Sequence, residues 1–554
     1  MGTQHVETER KYDGNALPER LDRVRGVAVA QRARPQDLDA VYYDTQDLRL
    51  LRRRITLRRR TGGDDAGWHL KLPRADDARL EVRRPLAAGG PNDVPAELAV
   101  LVAAVTRGAA LRPVAHLRTH RARRLLRDDR GETLARITED RVTAQVLDAG
   151  RVAVAPADGR VADAEAGAPG ERPAGEPGPA GGTSTEVLGW TEFEVELEHG
   201  TPALLDRIEA VFADAGLVRS PWPSKLSRVL GEPRVSAAAP SAAAPSEGAP
   251  DGAVHAPAAG SAGALVMGGL REQLDTLLGL DAAVRRDEAD SVHRMRVTAR
   301  RLRSLLKAHR RIFERDSAEA LATELRWLGK LLGEARDQEV LGDELVDQLT
   351  AVPAPMRGAL RGRLTERYAH GYRQAWQRAV AELDDTRYFA LLDRLDAFAA
   401  DPPLRGRADR KARTYLSGVL RREQRRTLKR LDRALRTEPG PRRDEALHLA
   451  RKAAKRARYT AENARPPLPD RAQKRAAKFG ARMKRLHKVL GTHQDSVVIR
   501  QELTTLAAEE TGSRRHAFAY GVLHERQRHI ADAAQRRLPK LRRRAGRRKL
   551  TRLP

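Results

Sequence analysis

Residues 191–198 read TEFEVELE, with Glu192, Glu194, Glu196 and Glu198 on one parity of a two-residue alternation and Phe193, Val195 and Leu197 on the other. A strand so patterned lays four carboxylates along one face of a sheet. VETERKY at 6–12 repeats the device with Glu7, Glu9 and Lys11. Between these two stretches, one face carries Arg58 and Arg60 in TLRRR, Lys71 in WHLKLP, and Glu81 and Arg83 in LEVRR. The opposite faces hold Val6, Leu57, Leu70, Leu72, Leu80 and Val82, apolar enough to pack under helices. On a single strand such a charged face is ordinarily a solvated outer face with ion pairs across strands. On five or more strands of matching parity, a closed barrel with a charged interior and helices outside is the economical solution.

An interior with both signs of charge suits a particular ligand. Arginines and lysines neutralise a triphosphate, while carboxylates hold a divalent cation through oxygen. Only three lysines occur before residue 232 in an arginine-rich chain: Lys11 in VETERKY, Lys71 in WHLKLP and Lys225 in PSKLSRVL.

Glu7-x-Glu9-x-Lys11, then YYDTQDLRL, LRRR, WHLKLP, EVRRPL, EFEVELE and PSKLSRVL, in that order, resemble the CYTH family, the triphosphate tunnel metalloenzymes. The resemblance covers about residues 3–231 and implies an eight-stranded antiparallel tunnel. It implies that Lys11, Arg58, Arg60, Lys71, Arg83, Arg118 and Lys225 bind substrate phosphates. It also implies that Glu7, Glu9, Glu194 and Glu196 hold Mg²⁺ or Mn²⁺, with Asp140 in TEDRV as a further acidic position. HLRTHRARR admits more than one register, so Arg118 shares its position with Arg121 and Arg123. Glu7, Glu9, Lys11, Arg58, Arg60 and Lys71 form the implied catalytic set. The family includes inorganic, thiamine and RNA triphosphatases and class IV adenylate cyclases, and the shared motif does not choose among them.

Outward from these motifs the composition changes twice. Residues 149–185 (with GAPGERPAGEPGPAGG) and 236–262 (SAAAPSAAAPSEGAPDGAVHAPAAGSA) have almost no large apolar side chains to offset ordering entropy. The first reads as an unstructured insertion within one domain. The second marks the boundary between a domain at 1–232 and one at 264–545, with a linker at 233–263 and a basic tail at 546–554. Charge follows the same boundary. Residues 1–232 hold 36 basic and 36 acidic side chains, so the whole +29 excess lies beyond them. Such a field attracts a polyanion. Helices are expected near 18–25, 95–107 and 201–215, and after residue 263 the period becomes 3.6 throughout. The chain as a whole is expected to be an α+β multidomain protein.

The helical half repeats itself. VHRMRVTARRLRSLLKAHRRIF from Val292 is echoed by LHLARKAAKRARYTAENARPP from Leu447, and LRWLGKLLGEARDQEVL by MKRLHKVLGTHQDSVVI, at offsets of 155 and 158 residues. Two copies are expected to pack as one bundle with pseudo-two-fold symmetry. His293, Arg296, Arg300, Arg303 and Lys307 are spaced 3, 4, 3, 4, and His448, Arg451, Lys455 and Arg458 repeat 3, 4, 3, so each row lies on one helix face. A solvated basic face explains one such row well, and two matched rows less well. Aromatics are 4% of the chain and are not interleaved with the rows, which disfavours base stacking. Metal binding by His293, His448, His487 and His493 is a minor alternative among so many cations.

These rows and the LxKxLGxxxD echoes resemble the CHAD family over about 264–545. The resemblance implies polyphosphate binding by both rows, with Lys330 and Lys488 as second choices. The expected partners are thus a short triphosphate and inorganic polyphosphate, with nucleic acid disfavoured though not excluded. The absence of cysteine, of a secretory signal pattern and of any apolar run longer than 98–105 fits a cytoplasmic protein, associated with polyphosphate granules and not with membranes. The expected activity is metal-dependent hydrolysis of inorganic triphosphate or a related short triphosphate. The rivals are a class IV adenylate cyclase and a non-catalytic polyphosphate scaffold.

Overall fold

A computed structural model describes residues 3–75, 77–90, 93–147, 187–231, 257–358, 360–463 and 468–554. The chain divides into two compact units, 1–247 and 248–554, each described by itself. The expected insertion and most of the expected linker lie outside the described residues.

The first unit is built on strands β1 (Gln4–Asp13), β2 (Val29–Asp44), β3 (Thr56–Thr61), β4 (Gly67–Ala75), β5 (Ala78–Arg84), β6 (Arg112–Arg127), β7 (Thr133–Val146), β8 (Val187–Leu197) and the short β9 (Val218–Arg219). All neighbours pair antiparallel in the order β5-β4-β3-β2-β6-β7-β8-β1, and β1 also pairs with β5, which closes eight strands into a barrel. β9 adds only to the end of β1. β2 and β6 are long and bent. The register of β2 shifts between Ala33 and Gln36, where Pro35 can give no ladder hydrogen bond. The β3–β4 turn depends on Gly62 at φ +76°, because a Cβ there would meet the Asp37 carbonyl oxygen at 2.1 Å.

The outer wall is apolar where helices cover it. Helix α4 (Pro202–Asp214) lays Leu204, Leu205, Ile208 and Phe212 against Tyr12, Ile137, Phe193 and Val195. The other expected helices shrink. Near 18–25 only the 3₁₀ turn Leu21–Arg23 forms, and 95–107 breaks into α2 (Ala96–Ala99), a 3₁₀ turn and α3 (Ala103–Thr106). Val6, expected beneath a helix, is 53% exposed. It shares the outer face of β1 with Thr8 and Arg10, and Arg10 pairs with Asp77 (3.1 Å) and Glu209 (2.6 Å). In YYDTQDLRL, buried Asp44 accepts the backbone N–H groups of Thr45, Leu50 and Leu51 at 2.7–2.9 Å, which fixes the turn into α1 (Arg49–Arg52).

The second unit is helical: α6 (Ala262–Arg285), α7 (Ser291–His309), α8 (Arg315–Gln348), α9 (Ala354–Arg357), α10 (Leu360–Leu383), α11 (Thr386–Ala400), α12 (Ala412–Arg436), α13 (Pro441–Glu462), α14 (Asp470–Glu509) and α15 (Arg514–Ala545). The two copies meet where α7 packs on α13 and α6 on α12. A third echo, absent from the motif reading, aligns α6 with α12 at an offset of 151. Arg271-Glu272-Gln273 matches Arg422-Glu423-Gln424, and Leu280-Asp281 matches Leu431-Asp432. Part of the basic tail is anchored. Leu550 and Leu553 are buried, and Gln424 donates to the carbonyl oxygens of Ala545 and Arg547 at 2.7 and 3.3 Å.

Candidate functional sites

Cross-strand partners in a barrel share a side, so the registers fix which residues face the lumen. Glu9 faces Glu196 and Lys11 faces Glu194 across β1–β8, Glu7 faces Arg79 across β1–β5, and Lys71 faces Glu81 across β4–β5. Arg58 faces Tyr42 and His69, and Arg121 faces Asp140, which faces Glu192. Lys225 enters from α5 (Lys225–Val229), a helix with a capping box on Ser224 and Ser227. Leu226 and Val229 of α5 pack with Tyr42, Leu117, Val142 and Ala144, whose lumen-facing side chains give that end of the barrel an apolar plug.

Within the lumen the charges segregate. Lys225 holds Asp140, Glu192 and Glu194 at 2.8, 2.7 and 2.8 Å, and Arg121 grips Asp140 with two hydrogen bonds of 2.7 and 2.6 Å. Lys71 lies 2.5 Å from Glu7 and 3.8 Å from Glu9, and Lys11 pairs with Glu194 and, at 3.5 Å, with Glu9. Burial alone would raise Glu9, but Lys11, Lys71 and Arg79 hold it down to about 2. Glu196 goes the other way: burial and then Glu7 push it up against weaker help from Lys71 and Arg136. Like charges at Glu9 and Glu196 thus oppose each other directly across β1–β8, where a cation relieves the repulsion.

The wall formed by β3 and β6 has the opposite need. Arg58 has no carboxylate ion pair among the described residues; it donates to the Tyr42 hydroxyl at 3.2 Å. Burial and then Arg58 bring the Arg60 guanidinium down to about 10, although Asp65 pairs with it. Arg121 adds to that repulsion. This wall has room for negative charge, and the cavity it shares with the carboxylates measures about 60 Å³.

Of the expected tunnel residues, Glu7, Glu9, Lys11, Arg58, Arg60, Lys71, Arg83, Glu194, Glu196 and Lys225 line this one cavity, with buried Asp140 directly behind Arg121. Arg118 does not. Its strand partners are Asp39 and Thr143, its side chain is 75% exposed, and it lies 3.6 Å from Asp39 on the outer face. Arg121 takes the inward position. Tyr42 and Asp65 escaped the sequence reading of the site, and Glu192 is read on the charged strand face but not among the metal-holding residues. Asp65 lies in a turn, where alternation says nothing, but Glu192 shared the parity of Glu194 and could have been included.

The carboxylates present are hard oxygen donors of the kind Mg²⁺ and Mn²⁺ take, so the donor set fits such an ion. Of the expected quartet, Glu7 lies in one tight grouping of possible ligands with His5 and Glu81, and Glu194 in another with Asp140 and Glu192, while Glu9 and Glu196 belong to neither. Both groupings already meet cations, Lys71 at Glu7 and Lys225 and Arg121 at the second, whereas Glu196 keeps the least cationic support of the lumen carboxylates.

In the helical unit the two rows converge. Arg296 and Arg300 on α7, Arg451 and Arg458 on α13 and His487 on α14 surround Lys455. Burial, then Arg300 and Arg451, bring the Lys455 ammonium down to about 6, and burial followed by Arg451 brings His487 to about 3. A glycine lies under the first arginine of each row. A Cβ on Gly333 would stand 3.3 Å from the Arg296 guanidinium, and one on Gly491 3.6 Å from Arg451 Nε. Asp337, one turn beyond Gly333, pairs with Arg296 at 2.8 Å. The LGxxxD echo thus seats Arg296 in the first copy, and in the second it places Gly491 and Asp495 near Arg451.

The rows are not uniform. His293 and His448 are half-buried, both held below their ordinary value by burial first, then by Arg336 and Lys452 respectively. Arg303 and Lys307 turn toward Glu319 and Arg326 on α8, away from the Lys455 cluster. Lys330 and Lys488 are exposed. Where the copies differ, Gly329 lies beside Arg300, while His487 joins the cluster and buried His493 meets Gln535 (3.1 Å) and Asp444 (3.3 Å).

Residues 5–229 match the model of the CYTH domain and residues 268–504 that of the CHAD domain. The chain is similar to two uncharacterized proteins of Mycobacterium tuberculosis, MT2285 of strain CDC 1551 / Oshkosh and Rv2226 of strain H37Rv. Each is 36% identical over 542 residues, which is 97% of this chain and 95% of the relative. Among solved structures it is similar to PptA from Streptomyces chartreusis (20% identity, TM-score 0.42, 51% of this chain and 99% of that one). It is also similar to the CHAD domain from the plant Ricinus communis (26%, 0.41, 51% and 93%). No helix among the described residues is long and apolar enough to cross a membrane.

Proposed function

The chain belongs to the family that joins a CYTH domain to a CHAD domain, and from that premise we propose that its tunnel hydrolyses inorganic triphosphate while its helical unit holds the protein on polyphosphate. The single observation that carries the first half is the division of one small lumen into a cationic wall at Arg58, Arg60 and Arg121 and a carboxylate wall at Glu7, Glu9 and Glu196. A bound Mg²⁺ or Mn²⁺ supplies charge neutralisation at the phosphate oxygens. The side chains do the rest. Arg58, Arg60 and Arg83 bind and orient the phosphate chain; Lys71 and Lys11 hold the carboxylates ionised. The plug at α5 favours a short substrate that enters from the other mouth over a long chain threaded through.

The lumen favours hydrolysis over cyclisation because its free space is small and its walls are charged. Among the tunnel-lining residues Tyr42 is the one aromatic, and it is occupied by Arg58. A nucleobase finds little apolar surface there. The test incubates the full-length protein and Mg²⁺ with inorganic triphosphate, thiamine triphosphate and ATP in parallel. Orthophosphate from inorganic triphosphate, with no cyclic AMP from ATP, is the expected result. Cyclic AMP with pyrophosphate would replace the reading with a cyclase. The convergence of both rows on Lys455 supports the polyphosphate half, and with it we propose a cytoplasmic place on polyphosphate granules.

A further inference from the structure

A second basic basin lies at the far end of α7. Its cavity of about 980 Å³ is lined by nine arginine or lysine side chains and two glutamates, drawn from the end of α7, the start of α8, the segment before α12, and α12 and α13. Both glutamates are engaged: Glu423 takes Arg456 through hydrogen bonds of 2.7 and 2.5 Å, and Glu319 faces Lys307 at 3.6 Å. Arg310, Arg311, Arg315, Arg407, Arg422 and Arg426 have no ion pair or side-chain hydrogen bond among the described residues.

The fold does not require this concentration of charge. Arg310 and Arg311 follow the C-terminus of α7, where cations are favoured, but Arg422 and Arg426 stand in the middle of α12, where the helix dipole gives no support. The duplication supplies an internal control. At the matching place in the other copy, Asp275 stands where α12 has Arg426, and Glu462 stands where α7 has Lys307. At these two positions the same backbone plan thus tolerates the opposite sign, while Arg271 keeps the positive charge at the place of Arg422. Burial, followed by Arg456 and Arg430, depresses the Arg426 guanidinium, which marks repulsion that the protein itself leaves unrelieved.

We propose that this basin, centred on Arg422, Arg426 and Arg407, is a second phosphate-chain site of the helical unit, separate from the Lys455 cluster. Its chemistry suits condensed phosphate better than nucleic acid. The one aromatic ring lining it, Phe313, is 1% exposed and packs on Phe398, so no face is open for base stacking. With two phosphate sites, one protein bridges two stretches of polymer or two polymer chains. This rests on the reading of the helical unit as a polyphosphate binder.

The test is arginine modification by phenylglyoxal on the full-length protein, read by peptide mass spectrometry, with and without long-chain polyphosphate at fixed ionic strength. A second sample carries Arg300→Glu and Lys455→Glu. Polyphosphate is expected to slow modification of Arg422 and Arg426 several-fold in both samples, and of Arg296 in the wild type alone. Protection of Arg296 without Arg422 and Arg426 would overturn the basin and leave the rows as the binding site. Protection of Arg422 and Arg426 alone would keep the basin and overturn the rows. Stronger protection of Arg422 and Arg426 by duplex DNA than by polyphosphate would overturn the ligand assignment. Loss of their protection in the Arg300→Glu, Lys455→Glu protein would show one continuous site and overturn the separation.

Discussion

Arg58 and Arg118 are arginines on strands of the same barrel, yet one points into the lumen without a carboxylate partner among the described residues and the other lies against Asp39 on the outside. Removing them separates phosphate binding from general charge. Arg58→Ala is expected to lower kcat/KM for inorganic triphosphate about 10²–10³-fold, the usual loss of a preorganised donor to a developing charge. Arg118→Ala is expected to leave it within about twofold, since an exposed pair contributes little. Steady-state phosphate release decides both. A second residue-scale prediction concerns Lys455. Facing it are Arg296 and Arg300 from α7, Arg451, Arg458 and Tyr459 from α13, and His487 and Asp495 from α14. With its ammonium brought down to about 6, the free protein holds Lys455 largely neutral at pH 7.5. A polyanion favours the charged form, so binding takes up a proton, and affinity falls as pH rises above about 6. Calorimetry in two buffers of different ionisation enthalpy should show net uptake at pH 7.5. The Lys455→Met protein should show less.

At the scale of elements, alternation carried the barrel. Charged faces of matching parity on β1, β3, β4, β5 and β8 are a local property, so they were legible one strand at a time. Which strands are neighbours is not local, and that is where the reading fell short. HLRTHRARR takes its register from Arg121 opposite Asp140, and Val6 stays exposed because, beyond Val6 itself, the outer face of β1 is apolar only at Tyr12, where α4 covers it. In the helical unit, 3.6-residue spacing located the rows, while their meeting point at Lys455 is set by the tertiary packing of α7 on α13. The α6–α12 echo was present in the sequence but lies ahead of the motif stretches. Gly333 belongs to this scale, since a side chain there on α8 would crowd the Arg296 guanidinium that reaches it from α7. Gly333→Val should displace that guanidinium while leaving the helix in place. Expected are unchanged helicity by circular dichroism, weaker polyphosphate binding, and a slope of log affinity against log salt reduced by about one phosphate contact.

Over the whole molecule, charge is partitioned by task. The tunnel unit is neutral overall and works by arrangement, as buried lysines tie carboxylates on one wall and arginines crowd the other. The helical unit carries the +29 excess and works by attraction, with its cations gathered at the Lys455 cluster and the α12 basin. The central claim is that the tunnel's carboxylate wall serves metal-dependent hydrolysis. Its most direct test is phosphate release from inorganic triphosphate with and without Mg²⁺, in the wild type and in Glu9→Gln, which keeps the shape of the side chain and removes its charge. The account predicts turnover that requires Mg²⁺ and falls at least about 10²-fold in the variant. Turnover that ignores Mg²⁺, or that survives Glu9→Gln intact, would contradict it.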